Sequence, residues 1–312
     1  MFVGVIDVGE PTPIKREPDF LDTAVLRRGH PRVTKTVHST SAQRHSAGIF
    51  LSAMPHSTDF FQDTPTKDPK DLPLAVRMRP ASLEEFVGQE HVIGQGKLLR
   101  RAIEADRLSS LILFGPPGSG KTSLAWCIAH ISKSCYIAIN ATTSNVEELR
   151  KVISQAKLKK SHSGVKTILF IDEIHRFNKA QQDVLLPDIE EGNPVLIGAT
   201  IHNPYFSIVA PLLSRSIVCE LKALKPADII AILTAALKDT VRGLGNLKIK
   251  AAKSALDFLA KSCEGDARRA LSALELGTLT TPRSKEGAVD FTDERTIENL
   301  QAFIKKNFGL AT

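Results

Sequence analysis

A parallel α/β sheet with helices on both faces, followed by a small all-α domain, is the fold class this 312-residue sequence predicts. Three observations carry that expectation. Five short apolar runs, rich in β-branched residues, are separated by segments with helical periodicity. The runs are continuous rather than alternating, as strands buried on both faces must be. Beyond Pro226 the strand signals stop and only helical ones continue.

Taken in order, residues 1–73 stand apart. They hold many of the prolines, with much Ser, Thr and His and no sustained period. From Thr23 to Thr58 there is no acidic residue, while Arg27, Arg28, Arg32, Lys35 and Arg44 are basic. Such a stretch buries too little apolar surface to offset its ordering entropy, so it is expected to be a disordered extension. An Arg- and Ser-rich, acid-free stretch suits an organelle transit peptide, but Asp7, Glu10, Glu17, Asp19 and Asp22 ahead of it argue against one. Met54 is a plausible alternative start.

Order is expected from Leu74. Gly96–Leu108 reads as a helix with Leu98, Leu99, Ala102 and Ile103 on one side. The strand candidates follow at Ser110–Phe114, Cys135–Ile139, Thr167–Ile171, Pro194–Ala199 and Ser216–Leu221. Helices are expected at Thr122–Ile131 and Val146–Leu158, the second started by a capping box of Ser144 and Glu147. Pro226–Leu237, Ala252–Cys263 and Asp266–Leu276 read as the helical domain. The boundaries are therefore an α/β domain over 74–221, a helical lid over 222–283, and an incomplete further segment over 284–312.

The chemistry begins directly after the first strand, where Gly115-Pro116-Pro117-Gly118-Ser119-Gly120-Lys121-Thr122 matches G-x-x-x-x-G-K-[ST]. The glycines let the loop wrap so that backbone N–H groups face phosphate oxygens, beside a helix N-terminus with partial positive charge. Lys121 can reach the β- and γ-phosphates, and the Thr122 hydroxyl can bind Mg²⁺. The third strand ends in Ile-Leu-Phe-Ile-Asp-Glu, delivering Asp172 and Glu173 to the sheet edge where open α/β sheets bind ligands. Asp172 is placed to hold Mg²⁺, and Glu173 to orient and deprotonate an attacking water. ATP and Mg²⁺ are the ligands this pattern implies. His175, two residues on, reads as a structural hydrogen-bonding residue, and Trp126 and Phe170 read as core.

These residues, with "GAT" ending the fourth strand, "LLSRS" before the fifth and "GDARRAL" in the helical part, resemble an AAA+ ATPase of the clamp-loader and Holliday-junction-motor branch. The blocks "RMRPASLEEFVGQEHVIG", "DEIHRFNKAQQDVLLP" and "GATIHNPYF" resemble more closely the replication-associated recombination protein A family, with its eukaryotic relative the Werner-helicase-interacting protein. The likeness runs from about Leu74 to Leu276. It implies that Val87 and Gly88 shape an adenine pocket, that Thr200 is the sensor-1 residue, and that Arg215 is an arginine finger acting on a neighbouring subunit's nucleotide. It also implies that Arg268, rather than Arg269, is the sensor-2 residue on the lid. Two departures stand out: Ile201 and His202 replace the usual Thr and Glu, and Ile217 stands where a second Arg is frequent. The resemblance implies a further C-terminal domain that drives tetramer assembly, which is expected to be missing after the lid, leaving oligomerisation and the Arg215 function open.

The implied function is ATP-driven remodelling of DNA or protein–DNA complexes at stalled replication forks, acting on junctions of single- and double-stranded DNA. Replication or single-strand-binding proteins would be partners, with a homo-oligomeric assembly. The location would be cytoplasmic and nucleoid-associated in a bacterium, nuclear in a eukaryote. A clamp-loader-like or branch-migration subunit, or an ATP-switched binding module without turnover, are the alternatives. Composition is compatible: 41 Lys plus Arg against 34 Asp plus Glu gives a net charge of +7, a mild bias toward polyanions. Two basic clusters can neutralise phosphates: Lys97, Arg100, Arg101 and Arg107 along one helix, and Lys157, Lys159, Lys160 and Lys166 around the short loop Ser161–Val165. The four cysteines have no metal-ligand spacing and are expected to be buried thiols. No apolar run is long enough to span a bilayer, so a soluble intracellular protein without membrane contact is expected.

Overall fold

The computed structural model describes residues 71–247 and 249–281, plus the backbone of Asp290 and Phe291. Residues 1–70 of the expected N-terminal extension, and the segment after the lid apart from Asp290 and Phe291, lie outside the described residues. Three short helices come first: α1 (Leu74–Arg77), α2 (Glu90–Ile93) and α3 (Leu98–Glu104). The sheet then alternates with helices as β1 (Ser110–Phe114), α4 (Lys121–Ile131), β2 (Cys135–Asn140), α5 (Val146–Ser163) and β3 (Thr167–Asp172). It continues with α6 (Lys179–Glu190), β4 (Val195–Thr200), α7 (Ala210–Leu213) and β5 (Ile217–Glu220). The five strands are parallel in the order β2-β3-β4-β1-β5. Apolar residues of β1, β3 and β4 divide between two cores, one with α3 and α4, the other with α5 and α6. Covering both faces is what makes continuous apolar strands favourable.

Several expected boundaries shift. Helix α3 stops at Glu104, and Asp106 takes a left-handed φ of 50° where the helix was expected to run on to Leu108. The cap of α5 is Asn145, whose side chain accepts from Glu148 N at 2.9 Å; the box expected at Ser144 is offset by one residue. That helix runs on to Ser163, so the loop expected at Ser161–Val165 shortens to little more than Gly164 and Val165. Helix α6, unassigned in the sequence, starts from a full capping box of Asn178 and Gln181. Trp126 is not core: 38% of it is exposed, and its ring meets Tyr136 edge-on, while Phe170 is buried as expected. Of the four free cysteines, Cys127 and Cys263 are buried, whereas Cys135 and Cys219 are only partly so.

Past the sheet come α8 (Pro226–Lys238), β6 (Lys250–Ala251), α9 (Lys253–Ser262), α10 (Ala267–Thr280) and β7 (Asp290–Phe291). The small β6–β7 pairing is a strand element the sequence pattern did not reveal. Leu74 of α1 is fully buried among residues of α8, α9 and α10. Arg77 fixes this arrangement through Arg242 O, Gly243 O and a 3.1 Å ion pair with Glu275. Leu74, where the α/β domain was expected to begin, thus contributes to the helical core.

Gln89 joins the two parts. Its Nε2 donates to Ser119 O at 3.2 Å and Lys222 O at 2.7 Å, and its Oε1 accepts from Lys222 N at 3.0 Å. Only 5% of the residue is exposed, so these backbone groups have little water to replace a lost partner. Gln89→Leu is expected to lower the unfolding free energy by about 2–4 kcal/mol, read as a reduced urea midpoint. Gln89→Glu, which keeps the acceptor but sets a carboxylate oxygen against Ser119 O and Lys222 O, should lose at least as much; a Glu variant of unaltered stability would overturn the donor role.

Candidate functional site

The loop between β1 and α4 is held from both sides. Gly115 N donates to Thr200 O at 3.2 Å, and Leu221 N donates to Phe114 O at 2.7 Å, tying the loop's start to the ends of β4 and β5. All three of its glycines have positive φ, 145° at Gly115, 67° at Gly118 and 103° at Gly120, a region that L side chains rarely adopt. A Cβ on Gly118 would also collide with the Asp266 carboxylate of the lid, and one on Gly120 would meet the Phe86 ring at 2.8 Å. The loop therefore needs glycine for close approach as well as for turning.

Lys121 is 9% exposed, and its Nζ donates at 2.8 Å to Gly115 O and to Pro116 O. Burial lowers its ammonium from the ordinary lysine value, while Asp172 and Glu173 oppose that shift. The lid reaches the same loop: Ala267 N donates to Gly118 O at 3.3 Å, and Asp266 caps α10 by accepting from Arg269 N at 3.0 Å. Arg268 consequently lines the cavity over the loop, whereas Arg269 faces Glu264 at 4.0 Å.

That cavity holds about 450 Å³, within the range of small-ligand sites. Its lining includes Pro117, Gly118, Ser119, Gly120, Lys121, Thr122, Asp172, Glu173 and Arg268. Met78, Val87, Ile232 and Leu271 add apolar surface to it. Gly88, Gly115, Pro116, Thr200 and Arg215 do not line it. Gly88 packs behind Val87, where an added Cβ would meet Leu224 at 2.7 Å. Arg215 is far more open; its Nη2 pairs with Glu190 at 2.6 Å and its Nη1 donates to Pro211 O at 3.0 Å. Sequence reasoning did not single out Gln89, Met78, Ile232 or Leu271; they converge only through the lid packing.

The residues fit a nucleoside triphosphate with magnesium. Ser119 Oγ, in the glycine loop, is buried without a hydrogen-bond partner, an orphaned polar atom that a phosphate oxygen would satisfy. Thr122 and Asp172 are hard oxygen donors on one side of the cavity. Among the described residues no group of three or more His, Cys, Asp and Glu makes a ready metal cage. Magnesium held by one or two protein oxygens plus phosphates needs none.

The basic clusters prove less open than expected. Arg100 pairs at 2.7 Å with both Glu84 and Glu104, Lys157 with Asp188 and Glu191, and Lys166 with Asp106. Lys159 approaches Cys135 Sγ at 3.2 Å. Lys97, Arg101, Arg107 and Lys160 remain exposed.

Comparison with known proteins agrees with this geometry. Residues 78–215 match the model of the Holliday junction DNA helicase RuvB P-loop domain. The chain is 48% identical to replication-associated recombination protein A of Haemophilus influenzae, over 65% of the chain and 46% of that protein. It is 42% identical to the Bacillus subtilis protein of the same name, over 76% and 54%, and 40% identical to ATPase WRNIP1 of Dictyostelium discoideum, over 65% and 23%. The chain spans about half the length of these bacterial relatives. A solved structure of the Thermotoga maritima RuvB Holliday junction branch migration motor superposes with a TM-score of 0.57 at 26% identity, covering 73% of each chain.

Proposed function

As this chain belongs to the replication-associated recombination protein A family of AAA+ ATPases, we propose that it couples ATP hydrolysis to remodelling of DNA or protein–DNA complexes at stalled replication forks. The observation that carries the reading is the single cavity bringing Lys121, Thr122, Asp172, Glu173 and the lid's Arg268 around one phosphate loop. The adenine end is Val87 with Met78, Ile232 and Leu271; the loop amides from Gly118 to Thr122 and Lys121 Nζ take the phosphates. Thr122 and Asp172 hold Mg²⁺, which when bound neutralises charge on the β- and γ-phosphate oxygens. Glu173 accepts the proton of the attacking water. Thr200 fixes groups at the γ-phosphate end, and Arg268 links nucleotide state to lid angle. Arg215, outside its own cavity, serves the site of a neighbouring copy in a homo-oligomer.

Single/double-strand DNA junctions are the proposed substrate, met by the exposed cations Lys97, Arg101, Arg107 and Lys160, with replication or single-strand-binding proteins as partners. The setting would be the bacterial cytoplasm or the eukaryotic nucleus. Phosphate contacts of this kind make binding salt-dependent. The test measures phosphate release and mass in solution, with and without forked DNA. Turnover stimulated by the fork, and lost as salt rises, is the expected result. ATP binding and lid movement with no turnover in the assembled state would instead leave an ATP-switched binding module.

A further inference from the structure

His175 sits between Glu173, which lines the cavity, and Thr200, which is buried. It belongs to a 3₁₀ turn (Ile174–Arg176) directly after Glu173, which itself holds a left-handed φ of 54°. The His175 side chain is 8% exposed. On one side its Nδ1 lies 2.9 Å from Thr200 Oγ1; on the other its Nε2 lies 3.3 Å from Glu173 Oε2. The His202 ring stands edge-on against it, 4.7 Å between centroids at 85°.

The neighbours of the ring indicate its tautomer. Thr200 Oγ1 accepts from His202 N at 3.1 Å, and with two lone pairs and one proton it can donate to His175 Nδ1 at 2.9 Å or accept from it. The Glu173 carboxylate, an acceptor, lies 3.3 Å from Nε2 and favours a neutral ring that carries its proton there, leaving Nδ1 to accept from Thr200. That Nε2–H is buried with no hydrogen bond satisfying it, although Glu173 Oε2 is within 3.3 Å. A buried donor left unsatisfied favours any movement of the carboxylate that completes the bond.

We propose that His175 is a positioning residue: anchored by Thr200 and clamped by His202, it aims its Nε2–H at Glu173 and sets the orientation in which that carboxylate receives the water's proton. This rests on the reading of Glu173 as the base. It also gives a role to the His202 side chain, a departure from the family pattern, since its ring packs edge-on against His175 and limits rotation there.

The variants separate the two ends of the imidazole. His175→Ala is expected to lower kcat by about 10- to 100-fold, the scale on which a misplaced catalytic group loses rate, with KM for ATP within about 2-fold. His175→Gln reaches toward Glu173 and should recover most of kcat. His175→Asn reaches only Thr200 and should not. Unchanged kcat in His175→Ala, or equal recovery by Asn and Gln, overturns the proposal. Glu173→Gln is run beside them: if it abolishes turnover while His175→Ala does not slow it, only this inference fails. Should Glu173→Gln keep full turnover, the assignment of the base fails first. A readout independent of activity, and of how variants fold, is the ¹⁵N spectrum of the unaltered full chain. The proton is expected on Nε2 of His175; a proton on Nδ1 overturns the argument.

Discussion

Glu173→Gln is expected to bind Mg·ATP with the affinity of the unaltered protein and to hydrolyse it about 10²- to 10⁴-fold more slowly, the range lost with a general base. Gln preserves the size and much of the hydrogen bonding of Glu while removing its capacity to take a proton. Glu173 lines the cavity without touching the phosphate loop's own bonds, which run from Lys121 to Gly115 O and Pro116 O and from Gly118 O to Ala267 N. Its removal therefore leaves the phosphate cradle intact. Equilibrium binding of a fluorescent ATP analogue, paired with single-turnover hydrolysis, separates the two quantities. A variant that hydrolyses at the original rate would falsify the assignment. One that binds nucleotide much more weakly would move Glu173 from the chemistry to the binding of Mg²⁺.

Why the glycine loop and the acidic strand end were legible in the sequence and other parts were not has a physical answer. Glycine spacing is dictated by backbone geometry: Gly118 and Gly120 must adopt positive φ and approach Asp266 and Phe86, so few other residues satisfy those positions. Asp172 and Glu173 follow four apolar residues because the strand must be buried before it emerges at the sheet edge. Both are local constraints that leave a local pattern. Helix α6 left a weaker one, because its buried face includes Gln182 and Asp188, polar residues that blur the apolar stripe. Gln182 is buried by bonding Phe177 O, five residues back, and Ser207 O, 25 residues on, the second beyond a helical window. The roles of Gln89 and His175 escape a local reading for the same reason: each bonds residues 25 to 133 positions away. The basic clusters erred in the opposite direction. A run of Lys and Arg reads as free charge, but Glu84, Asp106 and Asp188 come from other segments and neutralise Arg100, Lys166 and Lys157.

Arg215→Ala carries the second large expected effect, and its size should depend on assembly. In this chain the guanidinium is exposed, paired with Glu190 at 2.6 Å and outside the cavity its own subunit forms. An exposed ion pair contributes about 0–1 kcal/mol, so its loss should barely move the melting temperature. If the residue completes a neighbour's site, turnover by the assembled protein should fall by about 10³-fold or more, the effect of losing an arginine finger, with ATP affinity preserved. Mixing supplies the decisive arm. Arg215→Ala subunits keep their own Glu173, and Glu173→Gln subunits keep their own Arg215, so some mixed interfaces regain one complete site. Partial recovery of hydrolysis on mixing two nearly inactive proteins is the expected result. A proven oligomer that shows no recovery would confine Arg215 to its contact with Glu190. A large stability loss in Arg215→Ala alone would point the same way, because a finger waiting for a partner contributes little to the fold that carries it.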